Sequence, residues 1–209
     1  MKRIVLASAS PARSRLLSNA GIPHSTLVSG VNEAAHTIAL GPDATPIDIA
    51  LALSQAKAQA VAAQLDPSDE RRTYVIGCDS LLQINGQALG KPLDLEDAAR
   101  RWQFMRGNTG FLHTGHTIID VQGQMWVHEV ASTTIYFGMP DDDEVLAYLA
   151  TGESLNVAGG FTLDGLSAPF VSRIDGDPSN VIGLSLPLLR TLLRQLGVRW
   201  TDLWTQATP

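Results

Sequence analysis

One cysteine, Cys78, is all the thiol chemistry this chain offers. That excludes an internal disulfide and a cysteine zinc cluster. Its place inside an apolar run marks it as a small core residue, and with no partner base beside it covalent catalysis is not expected. Long apolar runs are lacking too. Ile4 to Ala7 is too short for a signal peptide. No stretch is long enough to cross a bilayer, so the sequence reads as a soluble cytoplasmic protein with no membrane partner. Excess positive charge is absent as well: the formal net charge is -6, which argues against a nucleic-acid polymer as partner. A small polyanion stays open, provided local lysines and arginines or a metal ion converge on it. Three common signatures are missing: the G-x-x-x-x-G-K-[ST] phosphate loop, the G-x-G-x-x-G fingerprint and the G-x-S-x-G nucleophile elbow.

What is present is a foldable chain. Its 209 residues are 44% hydrophobic and 17% charged, enough for a packed core. No linker divides it, so residues 1–209 are read as one domain. Ile4 to Leu6 reads as a strand, followed by Ser8-Ala-Ser-Pro11 and a helix in which Ser10 is the N-cap and Pro11 the first residue. Ser8, Ser10, Arg13 and the free N–H groups of that helix start form an anion-cradle candidate. Ser25 to Ser29 reads as a strand and Glu33 as an acid in the loop after it. Thr45 and Pro46 open a helix over residues 46–64, with Lys57 read as a surface lysine on its own evidence.

The run from Val75 to Pro92 carries the strongest signal. Asp79 is flanked by Tyr74, Val75 and Ile76 on one side and Leu81 and Leu82 on the other, the pattern of a buried strand. A carboxylate there costs several kcal/mol unless cations or hydrogen-bond donors meet it. Asn85-Gly86 signals a tight hairpin, whose return arm ends at Gly90-Lys91-Pro92. The hairpin can bring Asp79 and Lys91 together, as a structural ion pair or as a working one. Further on, a helix is expected over Leu95 to Met105, and His113 and His116 read as turn or surface residues. A hairpin from Thr117 to Phe137, a helix over Pro140 to Ala150, a strand at Phe170 to Ile174 and a last helix over Pro187 to Leu196 complete the pattern. The fold class expected is α/β, a mixed central sheet with flanking helices. The acids Glu33 and Asp79, the cations Arg13, Lys57 and Lys91, and the helix start together suit metal-assisted attack of water on a polyphosphate. Carboxylates hold a hard cation such as Mg²⁺ while lysines and arginine neutralise phosphate oxygens.

These pieces resemble the Maf family of nucleoside triphosphate pyrophosphatases. The resemblance runs through Leu6-Ala-Ser-Ala-Ser-Pro-Ala-Arg13, Val31-Asn-Glu33, the stretch around Lys57, Ile76-Gly-Cys-Asp79, Gly90-Lys91-Pro92, Ala158-Gly159 and Gly176-Asp177 to Leu184, in the family's order. It implies two lobes around a cleft, hydrolysis of nucleoside triphosphates to monophosphate and pyrophosphate, a divalent cation (Mg²⁺ or Mn²⁺) and a homodimer. Residue by residue it implies Asp79 as general base and a metal ligand, Glu33 as the second metal-side acid, and Ser8, Ser10, Arg13, Lys57 and Lys91 around the phosphates. Three positions bear on the base. Ala12 stands where the dTTP/UTP-type branch has arginine, and Asp164 where it has glutamine; both resemble the 7-methyl-GTP branch, as does the turn Asp177-Pro-Ser-Asn180. Ser80 fits neither branch. A different class of function, also suggested by the resemblance, is a non-catalytic nucleotide-binding regulator of cell division or septum formation; the water-activating acid argues for the enzyme.

Overall fold

The computed structural model describes residues 2–204. Its centre is a seven-stranded mixed sheet in the order β2-β1-β3-β5-β6-β7, with β4 paired to β3. The strands are β1 (Arg3–Leu6), β2 (Ser25–Thr26), β3 (Thr73–Ile84), β4 (Gln87–Leu89), β5 (Thr109–Asp120), β6 (Met125–Phe137) and β7 (Val171–Asp175). β2, β1 and β3 run parallel; the other pairings are antiparallel. The helices are α1 (Pro11–Asn19), α2 (Glu33–Leu40), α3 (Pro46–Ala62), α4 (Leu95–Met105), α5 (Asp142–Ala150), α6 (Pro178–Ile182) and α7 (Leu186–Gln195). Asn85 and Gly86 have φ of 48° and 77°, the conformation expected of the Asn-Gly turn between β3 and β4.

Alternation along β3 sorts its residues onto two faces. Tyr74, Ile76 and Cys78 join Ile118 of β5, the leucine stripe of α7 (Leu189, Leu192, Leu193) and Leu196 just past its end in one apolar cluster. Leu82 and Ile84, on the same face further along, pack with Trp102 of α4 and Tyr148 and Leu149 of α5 in a second. Between the clusters the face turns polar at Ser80 and Thr114, whose hydroxyls lie 3.0 Å apart. Two apolar bodies separated by this band give the two-lobed form expected.

The opposite face receives α3. Its buried residues are Ala50, Leu53, Ser54, Lys57, Ala58 and Val61, one stripe at helical spacing. The helix lies very close to the sheet because β3 and β5 each offer a glycine beneath it. A Cβ on Gly77 would sit 2.8 Å from the Ala58 nitrogen, and one on Gly115 would collide with the Ala50 carbonyl. Asp79 pairs with Gly115 across the two strands, so it points to this same face.

Several expectations are corrected. His113 and His116 are buried inside β5, not at a turn. His113 bonds Ser132 Oγ at 2.7 Å and Gln83 Oε1 at 2.9 Å. The Ser185 N–H donates to His116 Nε2 at 2.8 Å, and burial pushes this imidazole down to about 4. The Gly107-Asn-Thr-Gly run imitates a long turn, but only Gly107 has a positive φ (72°) and the strand begins at Thr109. The strand read at Ser25 to Ser29 spans only Ser25–Thr26. Glu33 is no loop acid: it opens α2, capped by Asn32, whose side chain accepts the Ala35 N–H at 3.0 Å.

Candidate active site

The sheet has a notch. β1 pairs with β3 as far as Leu6 opposite Ile76, and β4 joins β3 only at Leu82. Between these points β3 has a bare edge next to the C-terminal end of β1, the end at which parallel α/β sheets commonly place their ligands. A crevice of about 810 Å³ opens there. Ser8, Ser10, Ala12 and Arg13 line it from the turn into α1, Glu33 from α2, Lys57 from α3, Asp79 and Ser80 from β3, and Lys91 from the loop after β4. Residues spread over more than eighty positions of sequence thus share one cavity.

Charge sits at its floor. Lys57 Nζ donates to Asp79 Oδ1 at 2.5 Å and lies 2.7 Å from Glu33 Oε1. Asp79 is 7% exposed and Lys57 9%. Burial pushes the Asp79 carboxyl above the ordinary carboxylate range, and Lys57 and Arg13 oppose that shift. Among the described residues Asp79 therefore has Lys57 as its ion-pair partner and not Lys91, which is exposed on the crevice wall. The Lys91 loop is held through Gly90, whose carbonyl accepts from Arg101 Nη1 at 2.7 Å and from the Gly159 N–H at 2.9 Å.

Arg13 is built into the wall. Its Nε donates to the Gly183 carbonyl at 2.7 Å, Nη1 to Cys78 O at 2.9 Å and Ser8 Oγ at 3.2 Å, and Nη2 to Ser80 Oγ at 2.9 Å. Four of five N–H donors are thereby fixed, leaving one for a ligand. Ser8 Oγ also accepts the Ser10 N–H at 3.1 Å, and Ser10 Oγ accepts the Arg13 N–H at 3.4 Å. Because both hydroxyls accept, each keeps its proton to give to an anion. Ser80 earns its place here as the acceptor that orients Arg13. Cys78, in the same strand, is pushed up to about 11 by burial, so its thiol is not a nucleophile at neutral pH.

Asp164 stands apart: it is not among the crevice-lining residues, and it accepts from Arg15 Nη2 at 2.9 Å. Burial raises its carboxyl, but hydrogen bonds from Thr162 and Arg15 outweigh this and the net shift is downward. Arg15 and the glycines Gly77 and Gly115 were not singled out by sequence. A signal did exist for the glycines' partner helix: residues 50, 53, 54, 57, 58 and 61 form one stripe, which turns Lys57 inward and not to the surface.

The buried pair makes a stability prediction. Lys57→Met leaves Asp79 without its counter-charge and costs about 3 kcal/mol near neutral pH. The folded-state Asp79 pKa lies above its unfolded value, so stability is fullest below the unfolded value and falls as pH rises through the folded one. Melting temperature against pH should show the Lys57→Met deficit shrinking as the buffer is acidified. A deficit that grows on acidification contradicts the assignment.

Comparison with known proteins identifies the family. The profile of the family described as Maf-like protein matches residues 3–196. The nucleoside triphosphate pyrophosphatase of Streptomyces coelicolor is 54% identical over 206 residues, covering 99% of this chain and 96% of that protein. The protein of the same name from Salinispora tropica is 52% identical over 206 residues, covering 99% and 89%. That of Mycobacterium tuberculosis is 47% identical over 210 residues, covering 98% and 95%. A family match across nearly the whole sequence and relatives near half identity leave one conclusion: the chain belongs to the Maf-like protein family.

Proposed function

We propose that this protein hydrolyses nucleoside triphosphates to the monophosphate and pyrophosphate. The observation that carries the reading is the Lys57 ammonium held between Glu33 and Asp79 on the floor of a crevice whose walls are cationic. Asp79 is the general base: a carboxyl raised by burial is better matched to proton abstraction near neutral pH than an ordinary one. Arg13 and Lys91, with the hydroxyls of Ser8 and Ser10 and the free N–H groups of the α1 start, neutralise and orient phosphate oxygens. Lys57, paired with Glu33 and Asp79, adds to that positive charge.

The residues fit a divalent cation. Lys57 Nζ already marks a point within contact of both carboxylates, and a hard cation is commonly held by one or two carboxylates with substrate phosphates supplying the rest. Glu33 and Asp79 would hold Mg²⁺ or Mn²⁺, which supplies charge neutralisation at the triphosphate and lowers the pKa of bound water.

For the base we propose a preference for 7-methyl-GTP. Ala12 leaves the crevice wall small beside Arg13. Asp164 lies behind that wall, accepting from Arg15 and from Thr162, which does line the crevice, so its carboxylate acts on the base by orienting the Thr162 hydroxyl. The test is a panel of UTP, dTTP, GTP and 7-methyl-GTP, assayed for pyrophosphate and orthophosphate with Mg²⁺, Mn²⁺ or chelator. Pyrophosphate release that needs the metal and is fastest with 7-methyl-GTP is expected, with Asp164→Asn narrowing the preference. Orthophosphate as the only product, or nucleotide binding without turnover, overturns the hydrolytic reading.

A further inference from the structure

A second cationic pocket lies away from the crevice. It encloses about 350 Å³ between Arg190 and Arg194 of α7 and Arg199, Trp200 and Thr201 of the segment that follows, and shares no lining residue with the crevice. What sets it apart is unspent charge. The chain has 15 lysines and arginines in all. Among the described residues Lys2, Arg15, Lys57, Arg71, Arg72, Arg100, Arg101, Arg106 and Arg173 are in ion pairs, and Arg13 is tied into the crevice wall. Of the five left, three converge on this one pocket.

Their arrangement costs energy in the free protein. Arg190 and Arg194 are four apart on one helix face, a like-charge spacing that destabilises by a few tenths of a kcal/mol. Arg194 answers the negative end of the helix dipole, but that end carries only about half a charge and accounts for one arginine, not three. The nearby acid, Asp202, bonds Lys2 at 2.8 Å and also interacts with Arg199, so it offsets part of one arginine's charge and not that of all three. Trp200 is half-buried, packed at its inner side against the first apolar cluster, and also lines the pocket.

We infer that this pocket binds a nucleoside monophosphate. Guanidinium forks suit a phosphate group bidentately, and an indole offers a stacking surface to a base of any kind. The volume is near the lower end for small-ligand sites, in keeping with a mononucleotide. The assignment rests on this pocket alone and stands whether or not the crevice is hydrolytic.

The test is calorimetric titration of GMP and, separately, of pyrophosphate into wild type, the double variant Arg194→Gln/Arg199→Gln, and Trp200→Phe. All three arginines are exposed, so melting temperature and crevice turnover should be unchanged in the double variant. The double variant is expected to bind one GMP fewer than wild type, and Trp200→Phe to weaken that same site roughly fivefold or more. Equal GMP stoichiometry in wild type and the double variant overturns the proposal. So does pyrophosphate binding at the second site as tightly as GMP, since the indole would then read nothing. An acidic peptide binding there while GMP does not also overturns it, in favour of a protein partner.

Discussion

Asp79→Asn lowers turnover by about 10²- to 10⁴-fold, the usual worth of a positioned general base, while the fold persists. The amide keeps the shape of the carboxylate and removes a charge that burial disfavours. Lys57 is not stranded by the change, because Glu33 Oε1 still lies 2.7 Å from its ammonium. Nucleotide binding should therefore survive with turnover gone, a fall in kcat more than a rise in KM. The wild-type pH profile supplies a second reading of the same residue. The acid limb of kcat/KM should sit above the ordinary aspartate value of about 3.9, because burial raises the carboxyl. Full activity in Asp79→Asn, or an acid limb below that value, removes Asp79 from the role of base.

Gly115→Ala is expected to be strongly damaging, as is Gly77→Ala, whose added Cβ also meets α3 backbone. At Gly115 the added Cβ falls onto the Ala50 carbonyl and 2.8 Å from the Leu51 nitrogen. Both are helix backbone, which cannot swing aside as a side chain does, so α3 must lift from the sheet. Overpacking of this kind costs about 3 kcal/mol, or roughly 6–12 °C in melting temperature for a domain of this size. Activity falls with it, since the helix that moves carries Lys57 and faces Asp79. Gly90→Ala is the control: its nearest neighbour would be Leu81 Cδ2 at 3.6 Å, ordinary contact, so its melting temperature should shift far less. Equal melting curves for the two variants would mean that the close approach of α3 is not what the glycine provides.

Much of this was legible before any coordinates. Ser10 and Pro11 mark the start of α1, Thr45 and Pro46 that of α3, and Asn85-Gly86 the β3–β4 turn; each is local chemistry that acts within a few residues. Asp79 is conspicuous because a carboxylate inside an apolar strand demands a partner. What local chemistry cannot give is the partner's identity. Lys91, on the adjoining arm of the hairpin, was the near candidate; Lys57, 22 residues before Asp79, is the one that reaches it. His113 and His116 were misplaced for the same reason. A glycine-bordered histidine pair looks exposed until β5 is seen with neighbours on both sides.

The amino-acid sequence alone determined where the chain turns, which segments coil or extend, and that a few acids and bases must find one another, since propensity, capping and desolvation act at short range. Tertiary structure decided which of them meet. The stop of β1 short of β4 opens the notch, and two glycines let α3 settle deep enough to bring Lys57 to Asp79. Four donors then freeze Arg13 across the carbonyls and hydroxyls of three separate segments. Pairing over such separations depends on sheet register and close packing, quantities that belong to the folded whole.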